Sequence, residues 1–141
     1  MKTLSSFAFS AIFAGAIATV SFPIAAEPYL FEMLNKPAYQ KSWNRLFTKE
    51  AAVDAWLAHY GKIKDGPAGP GEIITIQNTK YQMNSVCKTH DCANNSFIVL
   101  FTPNGKKAWG LLLKEQKYER FFGSPNDEIQ NALREAVKNN K

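Results

Sequence analysis

Cysteine is scarce in this chain of 141 residues: there are two, Cys87 and Cys92. Histidine is as scarce, with His59 and His90 only. Two cysteines at this spacing exclude a multi-bridge scaffold, a C-x-x-C redox site and a C-x-x-C-H haem attachment. No run of five like charges occurs, which argues against a nucleic-acid tail. Internal repeats and low-complexity tracts are also missing. After residue 26 no hydrophobic run is long enough to span a membrane, which takes about 20 apolar residues.

What is present begins with Lys2 and an uncharged stretch from Thr3 to Ala26, apolar around Phe7 to Val20. It ends in the small residues Ala25 and Ala26, just before Glu27. This layout predicts a cleaved signal peptide over residues 1–26 and a single domain over 27–141. A membrane anchor is the competing reading. Ser5, Ser6, Ser10, Thr19, Ser21 and Pro23 interrupt the stretch and count against it. Because Cys87 is the first cysteine, no lipidated cysteine is expected at the new N-terminus. The expected location is periplasmic, or secreted. Leaving out Lys2, the 17 basic residues become 16 against 12 acidic, a formal charge of +4. In an exported protein that surplus identifies no partner, and nucleic acid is not expected. Export brings oxidising conditions, so Cys87 and Cys92 read first as a disulfide.

Tyr39, Trp43, Leu46 and Phe47 recur at helical spacing and predict a helix over Pro37 to Phe47. Thr48 is the expected cap of a second helix, with Val53, Trp56, Leu57 and Tyr60 as its stripe and Gly61 as its stop. Gly61 to Gly71 holds four glycines and two prolines and reads as a loop. Strands are expected at Ile73–Ile76 and Tyr81–Val86, joined by a turn at Asn78, Thr79 and Lys80. Phe97–Phe101 is apolar throughout, as a central strand covered on both faces would be. Pro103, Asn104 and Gly105 form a turn, Ala108–Leu113 returns, and Tyr118–Phe122 is a fifth strand. Ser124 as cap, Pro125, Asp127 and Glu128 open a last helix, with Ile129, Ala132, Leu133 and Ala136 or Val137 as its stripe. The fold class is α+β: an antiparallel sheet of about five strands with helices packed on it, and a loop protruding between two strands.

That loop is Cys87-Lys88-Thr89-His90-Asp91-Cys92. A bridge closing so small a ring contributes only about 2 kcal/mol, so rigidity explains it better than stability. A ring holds Lys88, Thr89, His90 and Asp91 in few conformations before any partner arrives. Zinc would need Cys87, Cys92, His90 and Asp91 to converge on one ion, which strains so short a segment. A hydrolytic triad is poorly served by adjacent His90 and Asp91, and no G-x-S-x-G elbow occurs. From the residues alone, a binding ring and a plain disulfide-closed turn with a solvated histidine both stay open. His59 sits at the edge of a helical stripe and reads as structural or surface.

The segment resembles the protruding loop of the Ivy family, bacterial inhibitors of vertebrate lysozyme, in which the motif is usually C-K-P-H-D-C. The leader, the helix before a Gly-rich loop, the hairpin into the loop and the strands after it also resemble that family, over most of residues 27–141. Thr89 departs from the usual proline and loosens the loop. The resemblance implies an exported, non-enzymatic inhibitor without cofactor or metal. Its loop, Cys87 to Cys92, would enter the cleft of a c-type lysozyme, and His90 would meet the catalytic carboxylates. Asp91 would orient the loop or pair with the target; a turn residue satisfying local N–H groups is its plainer role. Lys88 is either solvated or in contact with the partner. Since c-type lysozymes are generally basic, long-range attraction to this positive chain is not expected. A homodimer also belongs to the family's implications, although no residue here points to one. Three other readings remain: control of the cell's own lytic transglycosylases, a metal- or redox-dependent enzyme, and an envelope-stabilising protein with an incidental loop.

Overall fold

The computed structural model describes residues 27–64 and 66–139. The expected signal peptide, residues 1–26, lies outside them. The elements are α1 (Leu30–Met33), α2 (Pro37–Phe47), α3 (Ala55–Ile63), β1 (Glu72–Ile76), β2 (Thr79–Cys87), β3 (Asn95–Phe101), β4 (Ala108–Lys114), β5 (Tyr118–Phe122) and α4 (Asp127–Asn139). The five strands form one antiparallel sheet in the order β1-β2-β3-β4-β5. The α+β expectation holds.

Successive strand residues point to opposite faces, and β3 uses both. Phe97, Val99 and Phe101 join Leu112 and Phe122 beneath Trp43 and Leu46 of α2, Leu57 and Tyr60 of α3, and Leu30 of α1. Ile98 and Leu100 face the other way and join Met83, Trp109 and Leu111 under Ile129, Leu133 and Ala136 of α4. The result is helix, sheet, helix. Trp43 meets Phe97 edge-on at 5.5 Å, and Phe97 meets Phe122 at 5.6 Å. Gly110, opposite Val99, leaves room for this cluster: a Cβ there would lie 2.1 Å from Phe97 Cζ.

Several local expectations are corrected. Thr48 ends α2, its hydroxyl donating to the Asn44 carbonyl, and the second helix starts after Asp54. Gly61 does not stop α3. It lies inside the helix because a Cβ there would come within 2.5 Å of Trp43 Nε1, and Lys64 makes the left-handed exit. The first hairpin turns on Gln77 and Asn78, both at positive φ, while Thr79 and Lys80 pair in the ladder. Two positive φ values match the twist of the flanking strands. Asn126 caps α4, its Oδ1 accepting from the Ile129 N–H; Ser124 lies outside the helix at φ +53°.

The short helix α1 was not foreseen. Four residues carry no readable period, and tertiary contacts hold them. Leu30 and Leu34 are buried, and the Pro28 carbonyl accepts from the Asn84 amide at 2.8 Å and the Gly71 N–H at 3.2 Å. Part of the Gly/Pro-rich stretch is pinned as well. β1 covers β2 only as far as Met83, and Pro67 to Gly69 line the edge beyond. Cys87 N–H donates to the Pro67 carbonyl at 3.0 Å, and Gly69 N–H to the Ser85 carbonyl at 3.3 Å.

Candidate functional site

β2 leaves the sheet at Cys87 and β3 enters it at Asn95, so residues 88–94 extend beyond the last ladder pair, Cys87 with Ser96. Lys88 N–H donates to the Asn95 carbonyl at 3.0 Å and closes the neck of the loop. Cys87 and Cys92 are joined by a disulfide, with their Cα atoms 4.9 Å apart. Inside the ring, Asp91 N–H donates to the Lys88 carbonyl at 2.9 Å. His90 has φ +64° and Thr89 has no positive φ. That pattern fits a type II turn, with Thr89 second and His90 third.

A second turn follows. The Asp91 carbonyl accepts from the N–H groups of Asn94 and Asn95 at 3.2 and 3.0 Å. The Asp91 carboxylate takes the Asn94 amide at 2.8 Å, the Asn95 amide at 2.6 Å and the Lys88 ammonium at 3.5 Å. The Asn94 bond foremost, with Asn95 and the Lys88 charge behind it, holds the Asp91 carboxyl below its ordinary range against some desolvation. These bonds order the turn around Asp91. Asn94 and Asn95 went unnoticed in the sequence, although amides three and four positions after an aspartate are its readable partners. The Asn94 carbonyl also accepts from Glu115 N–H at 2.7 Å, which braces the ring against the β4–β5 turn.

Lys88, Thr89 and His90 are exposed. Among the described residues the His90 side chain has no hydrogen-bonding partner. Its left-handed backbone costs about 1 kcal/mol. The turn thus places an imidazole at the tip of a ring closed twice, once by sulfur and once by Asp91. His59 is exposed on α3, away from any acid or cysteine cluster. Among the described residues no group of three or more His, Cys, Asp and Glu side chains is gathered in a way that could hold a metal.

The family model for the inhibitor of vertebrate lysozyme (Ivy) matches residues 38–140. The chain belongs to the Ivy family. The match runs from α2 to the end of α4 and includes the whole ring. An uncharacterized protein of Yersinia pestis is 34% identical over 127 residues, covering 82% of this chain and 80% of its own. The inhibitor of vertebrate lysozyme of Pseudomonas aeruginosa is 28% identical over 120 residues, covering 76% of each. The chain is thus a homologue of a lysozyme inhibitor. Thr89 holds the second turn position, where proline is generally favoured because its fixed φ suits the turn.

Proposed function

We propose that this Ivy-family chain is an exported, non-enzymatic inhibitor of a c-type lysozyme, whose Cys87–Cys92 ring enters the catalytic cleft. The observation that carries the reading is the exposed, unpartnered imidazole of His90 at the tip of the closed ring. Retaining glycosidases place two carboxyl groups about 5 to 5.5 Å apart. An imidazole has a nitrogen on each side, and a protonated one donates from both. Each such charge-assisted bond contributes about 1.5 to 3 kcal/mol. His90 then occupies both carboxyl groups, and the ring behind it fills the cleft. No bond is made or broken. Because the ring is ordered beforehand, little conformational entropy is lost on docking. The domain acting in this way is residues 27–141 after removal of a leader at Ala26, in the periplasm or outside the cell.

The test is lysis of bacterial cell walls by a c-type lysozyme at rising ratios of this protein, beside His90→Ala. Inhibition near equimolar ratio, weakened by about a hundredfold or more in the variant, is expected from the loss of two charged hydrogen bonds. No inhibition by a folded, disulfide-bonded sample overturns the proposal. Inhibition of a lytic transglycosylase in a parallel assay would assign the same ring to that enzyme class instead.

A further inference from the structure

The β3–β4 turn, residues 102–107, carries the one asparagine of the chain that is followed by glycine, Asn104 before Gly105. Asparagine is a thermolabile residue. The backbone nitrogen of the next residue can attack the side-chain amide carbon, and glycine, without a Cβ, leaves that close approach open.

Here both reactants are held. Gly105 N–H donates to the Thr102 carbonyl at 2.8 Å. Asn104 Oδ1 accepts from the Thr102 hydroxyl at 2.9 Å and from Lys106 N–H at 3.0 Å. Asn104 is exposed to water, but Gly105 is buried. At φ +69° it lies beneath Tyr39, and a Cβ there would sit 2.5 Å from the ring. The Tyr39 hydroxyl donates to the Pro103 carbonyl at 3.1 Å and ties the ring to the turn. Attack needs the Gly105 nitrogen stripped of its proton and the Asn104 side chain swung onto it. Both changes break bonds that the closed turn makes. The reaction therefore waits for local opening.

We propose that Asn104 is a site of spontaneous deamidation, and that the lock made by Thr102 and Tyr39 confines the reaction to molecules whose β3–β4 turn has opened. The Gly105 nitrogen gives its proton to solvent base and bonds to Asn104 Cγ. The bond from Cγ to the side-chain nitrogen breaks, and that nitrogen takes up a proton and leaves as ammonia. The succinimide so formed adds one water at either carbonyl and opens to aspartate or isoaspartate. Water is the only co-reactant, and nothing is oxidised or reduced. Isoaspartate adds a carbon to the main chain between positions 104 and 105, so the turn cannot close again in its former register. A transient opening is thereby made permanent. The seven residues of β3 put this turn about 20 Å from the ring, and the proposal does not depend on the inhibitory reading.

The test is peptide mass mapping of the full chain after incubation in mildly alkaline buffer, either folded or unfolded in guanidinium chloride. Unfolded, the peptide holding position 104 should convert first among the asparagine peptides, to a mixture of aspartate and isoaspartate. Folded, the same conversion should be slower by about tenfold or more. Thr102→Val, checked for folding by denaturant titration, should raise the folded rate several-fold and leave the unfolded rate unchanged. Tyr39→Phe, which removes one hydroxyl, should raise it by less. Equal rates in folded and unfolded wild type overturn the lock, and an unchanged folded rate in both variants overturns its assignment to Thr102 and Tyr39. Slower conversion at position 104 than at other asparagines of the unfolded chain overturns the site itself.

Discussion

Phe97 to Phe101 lose nearly all contact with water on both faces of the sheet, whereas Lys88, Thr89 and His90, a few residues earlier, are exposed. The five buried side chains together contribute on the order of 10 kcal/mol of gross burial. The ring buries almost nothing and keeps its shape through one disulfide, two reverse turns and the bonds around Asp91. Stability is therefore concentrated where no partner can reach, and presentation where little stability is held. Substitutions in the two regions should separate folding from inhibition.

The largest effect is expected in the sheet. Phe97→Ala removes the ring that Trp43, Phe47 and Phe122 pack against and should cost about 3 to 5 kcal/mol in denaturant unfolding. Inhibition per folded molecule should stay unchanged; its loss in folded protein would break the division between the regions. Next comes the ring closure. Changing Cys87 and Cys92 together to serine should lower unfolding free energy by about 2 kcal/mol, the value of a loop this short. Here inhibition should weaken, because the turn then rests on hydrogen bonds only.

A smaller change of opposite sign is expected from Thr89→Pro. Position 89 is second in the turn, and among the described residues its N–H makes no hydrogen bond that proline would remove. The gain should be about 0.4 to 1 kcal/mol, read as a higher melting temperature. A loss would show that the backbone at position 89 does not suit proline. The smallest effect concerns acid. The folded-state carboxyl of Asp91 is held below its ordinary range, chiefly by Asn94. Its contribution is thus complete above the ordinary carboxylate range and disappears as pH falls through the lowered folded value. NMR titration should give a midpoint below that of an unperturbed aspartate, and Asn94→Ala should move it back up.

The same contrast explains what could be read from sequence. The doubly covered strand was legible because Phe97–Phe101 offers no polar face, and the outer helices because their stripes keep a 3.6-residue period. Gly61 misled because helix-stopping glycines and close-packing glycines look alike until Trp43 is in place. Thr48 and Ser124 are good capping types, but Thr48 ends the preceding helix and Ser124 stands two positions before the actual cap, Asn126. α1 is held by Asn84 and Gly71, which lie 56 and 43 positions from Pro28 and leave no local signal. In the ring, the cysteines and His90 were visible. That Asp91 bonds Asn94 and Asn95 needed coordinates.

Every strand pairs with its neighbour in the chain, and the four connections span residues 77–78, 88–94, 102–107 and 115–117. The consequence is kinetic. Each hairpin closes a short loop, the entropy lost per closure is small, and no strand waits for a distant segment before it can pair. The sheet can zip from any of its turns. The ring lies within one hairpin, so its sulfurs are brought together by pairing that needs no bridge to begin.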